Sequence, residues 1–476
     1  MVLPDGIVLF VKEDCETCRR VAPVIRRLHE AGVPLTVFTQ DDPGFPPGVP
    51  AVDDTELRVS WENEVEIVPT LLRVAGGGRQ DSVQGWHRAR WEEMTGVAGL
   101  GPGLGEFGPG CGSRTLDPGM PELLQVRYGG ERLRSRRVEL AEAEDALEAM
   151  EARGWSDGLP LVPPTPARVL RMLEGTSRPP DEVVAVVPPD LVPCTVEKAA
   201  VNAVLAGCRP EYLPVVLAAL EGACTDEFNA HGLLATTYFA GPMVVVNGPV
   251  RERIGMNWGL NALGQGNRAN ATIGRALQLI VRNVGGGRPA GVDRATMGWP
   301  GKVGFCFAED EAGSPWEPLS VERGLSPDAS AVTLFAGGGL QPVVDQISRT
   351  PESLARSLAA ALGAVNHPKL ALGFDAVLVV CPEHARVFAQ AGWSKARLRE
   401  ELDRLLTRPG AEMVRGAGGI EEGMPPQFAG GEVPKFRPGG LGIVHAGSTA
   451  GMFSAVVPGW VGGPAGSQPV TVEVRP

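Results

Sequence analysis

The sequence predicts an α/β protein built as a small N-terminal domain, a glycine-rich linker and a larger α/β domain of mostly parallel, buried strands. Three observations predict it. Short apolar runs alternate with segments whose apolar positions recur at i, i+3, i+4 and i+7, the mark of strands alternating with amphipathic helices. The length of 476 residues suits two to four domains at about 100–200 residues each. Residues 99–119 hold eight glycines, a composition that reads as a connection between domains.

Taken in order, residues 6–11 are an apolar strand, and residues 17–30 place Val21, Val24, Ile25 and Leu28 on one helical face. Residues 34–40 form a second strand, followed by a break at 41–51 that contains four prolines. A helix at 55–61, a strand at 70–74 and a closing helix at 84–96 complete a first domain, 1–98. The linker is placed at 99–121 and the large domain at 122–476. There, residues 137–153 read as a charged helix that Gly154 terminates. Helices follow at 197–206, 211–223, 270–282, 352–362 and 394–406, and strands at 242–246, 331–335, 376–380 and 442–445. Residues 285–287 are a turn and 409–439 extended surface loops. Alternating strands and helices imply a mostly parallel sheet covered on both faces. The stretch PEYLPVVLAALEGA, a loop, then PMVVVNGP echoes PESLARSLAAALGA, a loop, then DAVLVVCPEHA. Shared α/β grammar and an internal duplication both produce such an echo.

Bulk properties exclude several classes. The net charge of −12 argues against a nucleic-acid partner, which needs a basic face. No apolar run approaches 18 residues, so no membrane partner is expected. The opening strand runs straight into Lys12, Glu13 and Asp14 and does not read as a signal peptide. Eight cysteines in a chain of this length are no disulfide scaffold, and a reducing cytoplasm is the expected location. Assembly into an oligomer is compatible with all of this.

One motif carries chemistry by its position. Cys15-Glu16-Thr17-Cys18 lies between the first strand and the first helix. There the unpaired N–H groups of the helix start stabilise a thiolate on the first cysteine. The second thiol, one turn in, can attack a mixed disulfide and release the product. Asp14 and Glu16 oppose the thiolate, while Arg19 and Arg20 favour it. The competing readings are an inert pair and a zinc half-site, but no second Cys-x-x-Cys exists in the sequence, and no metal is expected. Cys111, in Gly110-Cys111-Gly112-Ser113-Arg114, is either an accidental loop cysteine or a third thiol. As a flexible tether, the linker would let it wander roughly 20 Å, enough to approach the pair.

Val68-Pro69-Thr70 precedes a strand. Together, a strand, Cys-x-x-Cys, a helix, a strand, then Val-Pro-Thr before a strand closely resemble the thioredoxin-like family over residues 4–98. The resemblance implies that Cys15 attacks, Cys18 resolves and a cis Pro69 faces the pair. It also implies that Val68 offers its backbone to a bound thiol substrate. Where that family has Trp-Cys-Gly-Pro-Cys, this chain has Asp14-Cys15-Glu16-Thr17-Cys18, which favours a dedicated partner over general thioredoxin activity.

In the large domain, Gly264-Gln265-Gly266-Asn267-Arg268-Ala269-Asn270 feeds a helix. Such a turn either binds an anion, with Arg268 and Asn270 assisting, or is simply a capped turn. It completes neither the dinucleotide fingerprint nor a P-loop, so no cofactor is expected. Strands also end at Asn247, at Cys381 with His384, and at His445 with Ser448 and Thr449. In open parallel sheets such ends converge on a ligand; the alternatives are core and cap roles. Cys194, Cys208, Cys224 and Cys306 read as core.

Residues about 154–460 are similar to a bacterial family without an assigned reaction, through GWSDGLPLVPPT, TVEKAAVNAVLAGCRPEYLPVVLAALE, NGP, RANATIGRALQL, SPWEPL and PEHARVFAQAGWSK. Members of that family accompany selenoproteins bearing Sec-Gly-Ser-Cys. The resemblance implies a link to thiol or selenol chemistry and supplies no site residue. The leading expectation is therefore a thiol–disulfide oxidoreductase whose first domain supplies electrons to a thiol, disulfide or selenol substrate or partner protein. The alternatives are a lyase or hydrolase at the strand ends, or a non-catalytic scaffold.

Overall fold

The computed structural model describes residues 3–129, 133–141, 144–419 and 421–476. It is mixed α/β, and the chain divides into two units, Met1–Leu133 and Arg134–Pro476.

The first unit is organised by β1 (Gly6–Val11), whose last five residues are all buried. It runs through α1 (Glu16–Glu30) into the parallel strand β2 (Leu35–Thr39), and β3 (Ala51–Asp53) adds a further parallel strand. After α2 (Arg58–Glu62) and the short β4 (Ile67–Val68) comes β5 (Thr70–Ala75), antiparallel to β1, then β6 (Gly78–Gln84), antiparallel to β5. The sheet order is β3-β2-β1-β5-β6. The predicted helix at 84–96 is corrected here. Gly76 and Gly77, both at positive φ, form a two-residue turn that folds a polar edge strand back on β5. The chain then makes β7 (Trp86–His87), and only Arg88–Thr95 is helical, as α3.

The predicted linker is also corrected. Residues 99–121 belong to the first unit, where β8 (Phe107–Gly108) pairs with β7 and β9 (Cys111–Gly112) pairs with β4. The next helix, α4 (Met120–Tyr128), packs Tyr128 against Trp61 of α2, ring centroids 6.0 Å apart. The glycines serve close approach here rather than flexibility. A Cβ on Gly110 would lie 2.2 Å from the Ile67 side chain and 2.9 Å from the Val68 carbonyl.

The second unit begins without the predicted helix at 137–153. The backbone N–H groups of Arg134 and Ser135 donate to the Glu197 carboxylate at 3.0 and 2.7 Å. Helix starts only at α5 (Ala146–Ala152), capped by Asp145; residues 142–143 lie outside the described residues. There follow α6 (Pro166–Leu173), the hairpin β10 (Val183–Val187) and β11 (Val192–Thr195), α7 (Val196–Ala206), α8 (Leu213–Ala223) and α9 (Ala230–Ala235). A large sheet takes β12 (Gly241–Asn247), then, after α10 (Val250–Arg253) and α11 (Arg268–Asn283), β13 (Phe305–Ala308). Next come α12 (Leu319–Glu322), β14 (Ala331–Gly337), β15 (Gln341–Val344), α13 (Pro351–Gly363) and β16 (Phe374–Val380). The chain ends through α14 (Pro382–Gln390), α15 (Lys395–Leu406), the small pair β17 (Arg408–Pro409) and β18 (Glu432–Val433), β19 (Leu441–His445), β20 (Phe453–Val461) and β21 (Val470–Glu473).

The sheet order β13-β12-β14-β20-β16-β19 corrects the expectation of mostly parallel pairing. Among the described residues of this sheet, only β12 with β13 and β16 with β19 run parallel; its other strand pairings are antiparallel. The reason is that β13 and β20 escape a pattern reading. The first is a four-residue strand, and the second mixes Ser454, Pro458 and Gly459 into its run. Each half nevertheless repeats one arrangement: a helix (α8 or α13), a central strand (β12 or β16), a parallel outer partner and an antiparallel inner partner. The inner strands meet at Gly337 opposite Gly459. The outer edges also touch, since the Asp310 N–H donates to the His445 carbonyl at 2.8 Å. One sheet face buries Met243, Phe307, Val379 and Val457 together. The other buries Leu378 and Ile443 against Leu358 of α13 and Leu402 of α15.

Candidate thiol site

The loop from β1 into α1 is pinned by Asp41, whose carboxylate accepts from the Glu13 and Asp14 N–H groups at 2.7 and 2.8 Å. Cys15 is thereby the N-cap residue of α1, in extended conformation, and its sulfur accepts from the Cys18 N–H at 3.4 Å. The Val68–Pro69 peptide is cis, and the Cys15 Sγ lies 3.5 Å from the Val68 carbonyl oxygen.

Cys111 completes the site. Its backbone pairs antiparallel with Val68, and Gly112 pairs with Ile67. Its Sγ lies 2.7 Å from the Cys15 Sγ, in reach of a thiol–thiolate hydrogen bond and of a disulfide. The rest of the segment is anchored on both sides. The Thr17 hydroxyl donates to the Pro109 carbonyl at 2.6 Å. The Gln40 amide donates to the Ser113 hydroxyl at 2.8 Å and accepts from the Arg114 N–H at 3.1 Å. Ser113 and Gln40 are both fully buried. The consequence is that Cys15 and Cys18 are 0% exposed, while Cys111 is half-exposed.

The electrostatics separate the three thiols. Cys15 is lowered to about 5 by hydrogen bonds, the largest from the Cys18 side chain, with Cys111 and the helix-start N–H groups adding to it against the cost of burial. Burial, and next the Cys15 sulfur, push Cys18 far up, so it stays a thiol until Cys15 is engaged. Cys111 is raised by burial and then by Cys15. Replacing Cys111 with alanine removes one of the donors to the Cys15 thiolate. The pH midpoint of thiolate absorbance near 240 nm is therefore expected to move up from about 5 in Cys111→Ala; an unmoved midpoint would refute this coupling.

The large unit brings its predicted groups together only in part. Gly264, with Asn261 and Ala262, faces the strand-end residues Val379, Ala446 and Gly447 across a cleft of about 280 Å³. Gly266, Cys381, His384 and His445 do not line that cleft. Arg268 is committed to the Gly207 carbonyl at 2.9 Å. Asn270 is spent on Asn257 and Ala262. Asn247 donates to Glu309 at 2.7 Å and Glu311 at 3.0 Å. His445 is buried and its Nδ1 contacts the Asp310 carbonyl at 3.0 Å, whereas Ser448 is half-buried and Thr449 exposed. Cys381 and His384 lie at the start of α14. Despite its burial, Cys381 is lowered by hydrogen bonding to His384, and the ring nitrogens of His384 meet Ser454 at 2.7 Å and the Asp345 carbonyl at 3.0 Å. Both residues are buried. Nothing in the sequence singles out Ser454 or Asp345 as their partners. Of the cysteines read as core, Cys194, Cys208 and Cys306 are buried and Cys224 is half-buried.

Among the described residues, no three His, Cys, Asp or Glu side chains are grouped to hold a metal, and no helix is long and apolar enough to cross a membrane. Comparison with models of protein families, with curated proteins and with solved structures finds no match.

Proposed function

We propose that the first unit is a thioredoxin-like thiol–disulfide oxidoreductase with a built-in relay, in which Cys111 exchanges with substrate and the Cys15–Cys18 pair reduces it. The observation that carries this reading is the seat of Cys111: paired on Val68, 2.7 Å from Cys15, and more exposed than either partner. A substrate disulfide reaches Cys111 before it can reach the fully covered Cys15.

The steps balance as two electrons. The Cys111 sulfur, having lost its proton, attacks a substrate disulfide; one substrate thiolate leaves and the other half stays bonded to Cys111. The Cys15 thiolate attacks Cys111, which releases the second substrate thiolate and forms Cys15–Cys111. Cys18 gives up its proton and attacks Cys15, which forms Cys15–Cys18 and returns Cys111 as thiolate. An external dithiol then reduces Cys15–Cys18. The low proton affinity of Cys15 and the high one of Cys18 support the order of the last two exchanges, in which Cys15 attacks Cys111 before Cys18 resolves.

The test is Cys18→Ser treated with a disulfide such as oxidised glutathione, followed by non-reducing peptide mass spectrometry. A Cys15–Cys111 disulfide is expected to accumulate. Glutathione found on Cys15, with Cys111 free, would overturn the relay.

A further inference from the structure

The second unit contains a cavity of about 620 Å³, within the range of about 300–1,000 Å³ that small-molecule sites occupy. It lies at the base of β12, where α11 and the 293–303 loop face α9, away from the 280 Å³ cleft and its lining. Its walls are largely apolar, with Leu233, Leu234, Val281 and the Trp299 indole among them. The ring of Trp299 is held in place from two sides. Its centroid is 5.3 Å from that of Phe305 at an interplanar angle of 88°. On the other side it occupies the space a side chain would need at Gly301, where a Cβ would fall 2.0 Å from the ring.

The polar groups in this cavity do not balance internally. Asp157 is bound by both arms of Arg275, at 2.8 and 2.7 Å. Asp293 is bound by Lys302 at 2.8 and 2.9 Å. Both carboxylates are therefore neutralised. Arg282 has no hydrogen-bond or ion-pair partner among the described residues, and its Nε is buried. The Trp299 Nε1 is likewise buried and unpaired. Both orphan atoms are donors only, so what is missing is an acceptor, and one positive charge is left over. Gln278, one turn before Arg282 on the same face of α11, also lines the cavity. Arg282 stands in the last turn of α11, where the helix dipole favours cations and disfavours concentrated negative charge. A single carboxylate fits this arrangement better than a phosphate dianion.

We propose that this cavity binds a small carboxylate with an apolar or aromatic body, its anionic end on the Arg282 guanidinium and its body against the leucines and the indole. The inference is independent of the thiol reading of the first unit. Calorimetric titration of the full chain with phenylacetate tests it, with neutral phenylacetamide as the matched probe. Phenylacetate is expected to saturate, and phenylacetamide to bind at least about tenfold more weakly, the usual weight of a charge-assisted hydrogen bond. Arg282→Gln is expected to remove that preference. Leu234→Trp, which fills the cavity, is expected to abolish binding of both probes. Equal affinities for the two probes on the unaltered chain, or no saturable phenylacetate binding below about 10 mM, would overturn the proposal, as would unchanged phenylacetate affinity in Arg282→Gln.

Discussion

Cys15→Ser is expected to lower the rate of dithiol-driven disulfide reduction by at least about 10³-fold, because a serine hydroxyl at neutral pH replaces a thiolate that is the nucleophile of the second exchange. The size follows from the environment of Cys15. Its sulfur is held ionised near pH 5 by donors from Cys18, Cys111 and the start of α1, and none of those donors ionises a hydroxyl at neutral pH. A second signature distinguishes the relay from direct attack. With Cys15 absent, the substrate half stays bonded to Cys111, so a stable adduct on Cys111 is expected in Cys15→Ser. Cys111→Ser is expected to be nearly as damaging, since Cys15 is fully covered. Full turnover in Cys111→Ser would mean that the 107–113 segment lifts away and that substrates meet Cys15 directly. Steady-state rates with a chromogenic disulfide, measured on both variants, decide between the two.

The largest expected loss of stability lies in the second unit, at Arg437→Met. Asp375, the second residue of β16, is 2% exposed. It is held by Arg437, whose Nε donates to it at 2.9 Å and whose second arm donates to the other oxygen. Removing the guanidinium leaves a buried carboxylate without its counter-charge, at a cost of about 3 kcal/mol, the lower end for such a break because Arg437 is a quarter exposed. The pH dependence follows from the sign of the shift. Burial raises Asp375 above its ordinary value of 3.8, with Arg437 opposing the rise. An acid raised in the folded state subtracts stability as pH climbs through its folded pKa. The deficit of Arg437→Met should therefore be greatest at pH 7 and close as pH falls toward 3.8. Urea unfolding at pH 7 and pH 4.5 measures this. A pH-independent deficit would point to lost packing instead, and Asp375→Leu combined with Arg437→Met should recover most of the loss.

Much of the first unit was legible because its signals are local. The apolar run at residues 6–11, the helical face of Val21, Val24, Ile25 and Leu28, and a Cys-x-x-Cys between them each follow from neighbours in sequence. The seat of Cys111 was not legible in that way. It depends on residues more than forty positions away, Ile67 and Val68, and glycine richness reads equally as slack chain or as room for two backbones to meet. Gly110 and Gly112 on either side of a cysteine were the available clue. In the second unit, the strands that carry long apolar runs were placed, and the pairing direction was not. Direction was decided by β20 and β13, whose Ser454, Pro458 and shortness hide them from a periodicity reading. The strand-end residues converge only in part: the Asn247 amide and the His445 N–H both donate to the buried Glu309 carboxylate, at 2.7 and 3.3 Å, while His384 is bonded to Ser454 and the Asp345 carbonyl.

The twofold pattern of the large sheet carries an order of assembly. The inner strand of the first half, β14, is flanked along residues 331–334 by β21, at residues 470–473. All of the second half, β15 through β20, lies between them in the chain. As the polypeptide emerges from the ribosome, the first half therefore presents an open hydrogen-bonding edge that only the last strand can cover. The two halves repeat each other's layout, yet the first gains its β21 partner only after the second has been made.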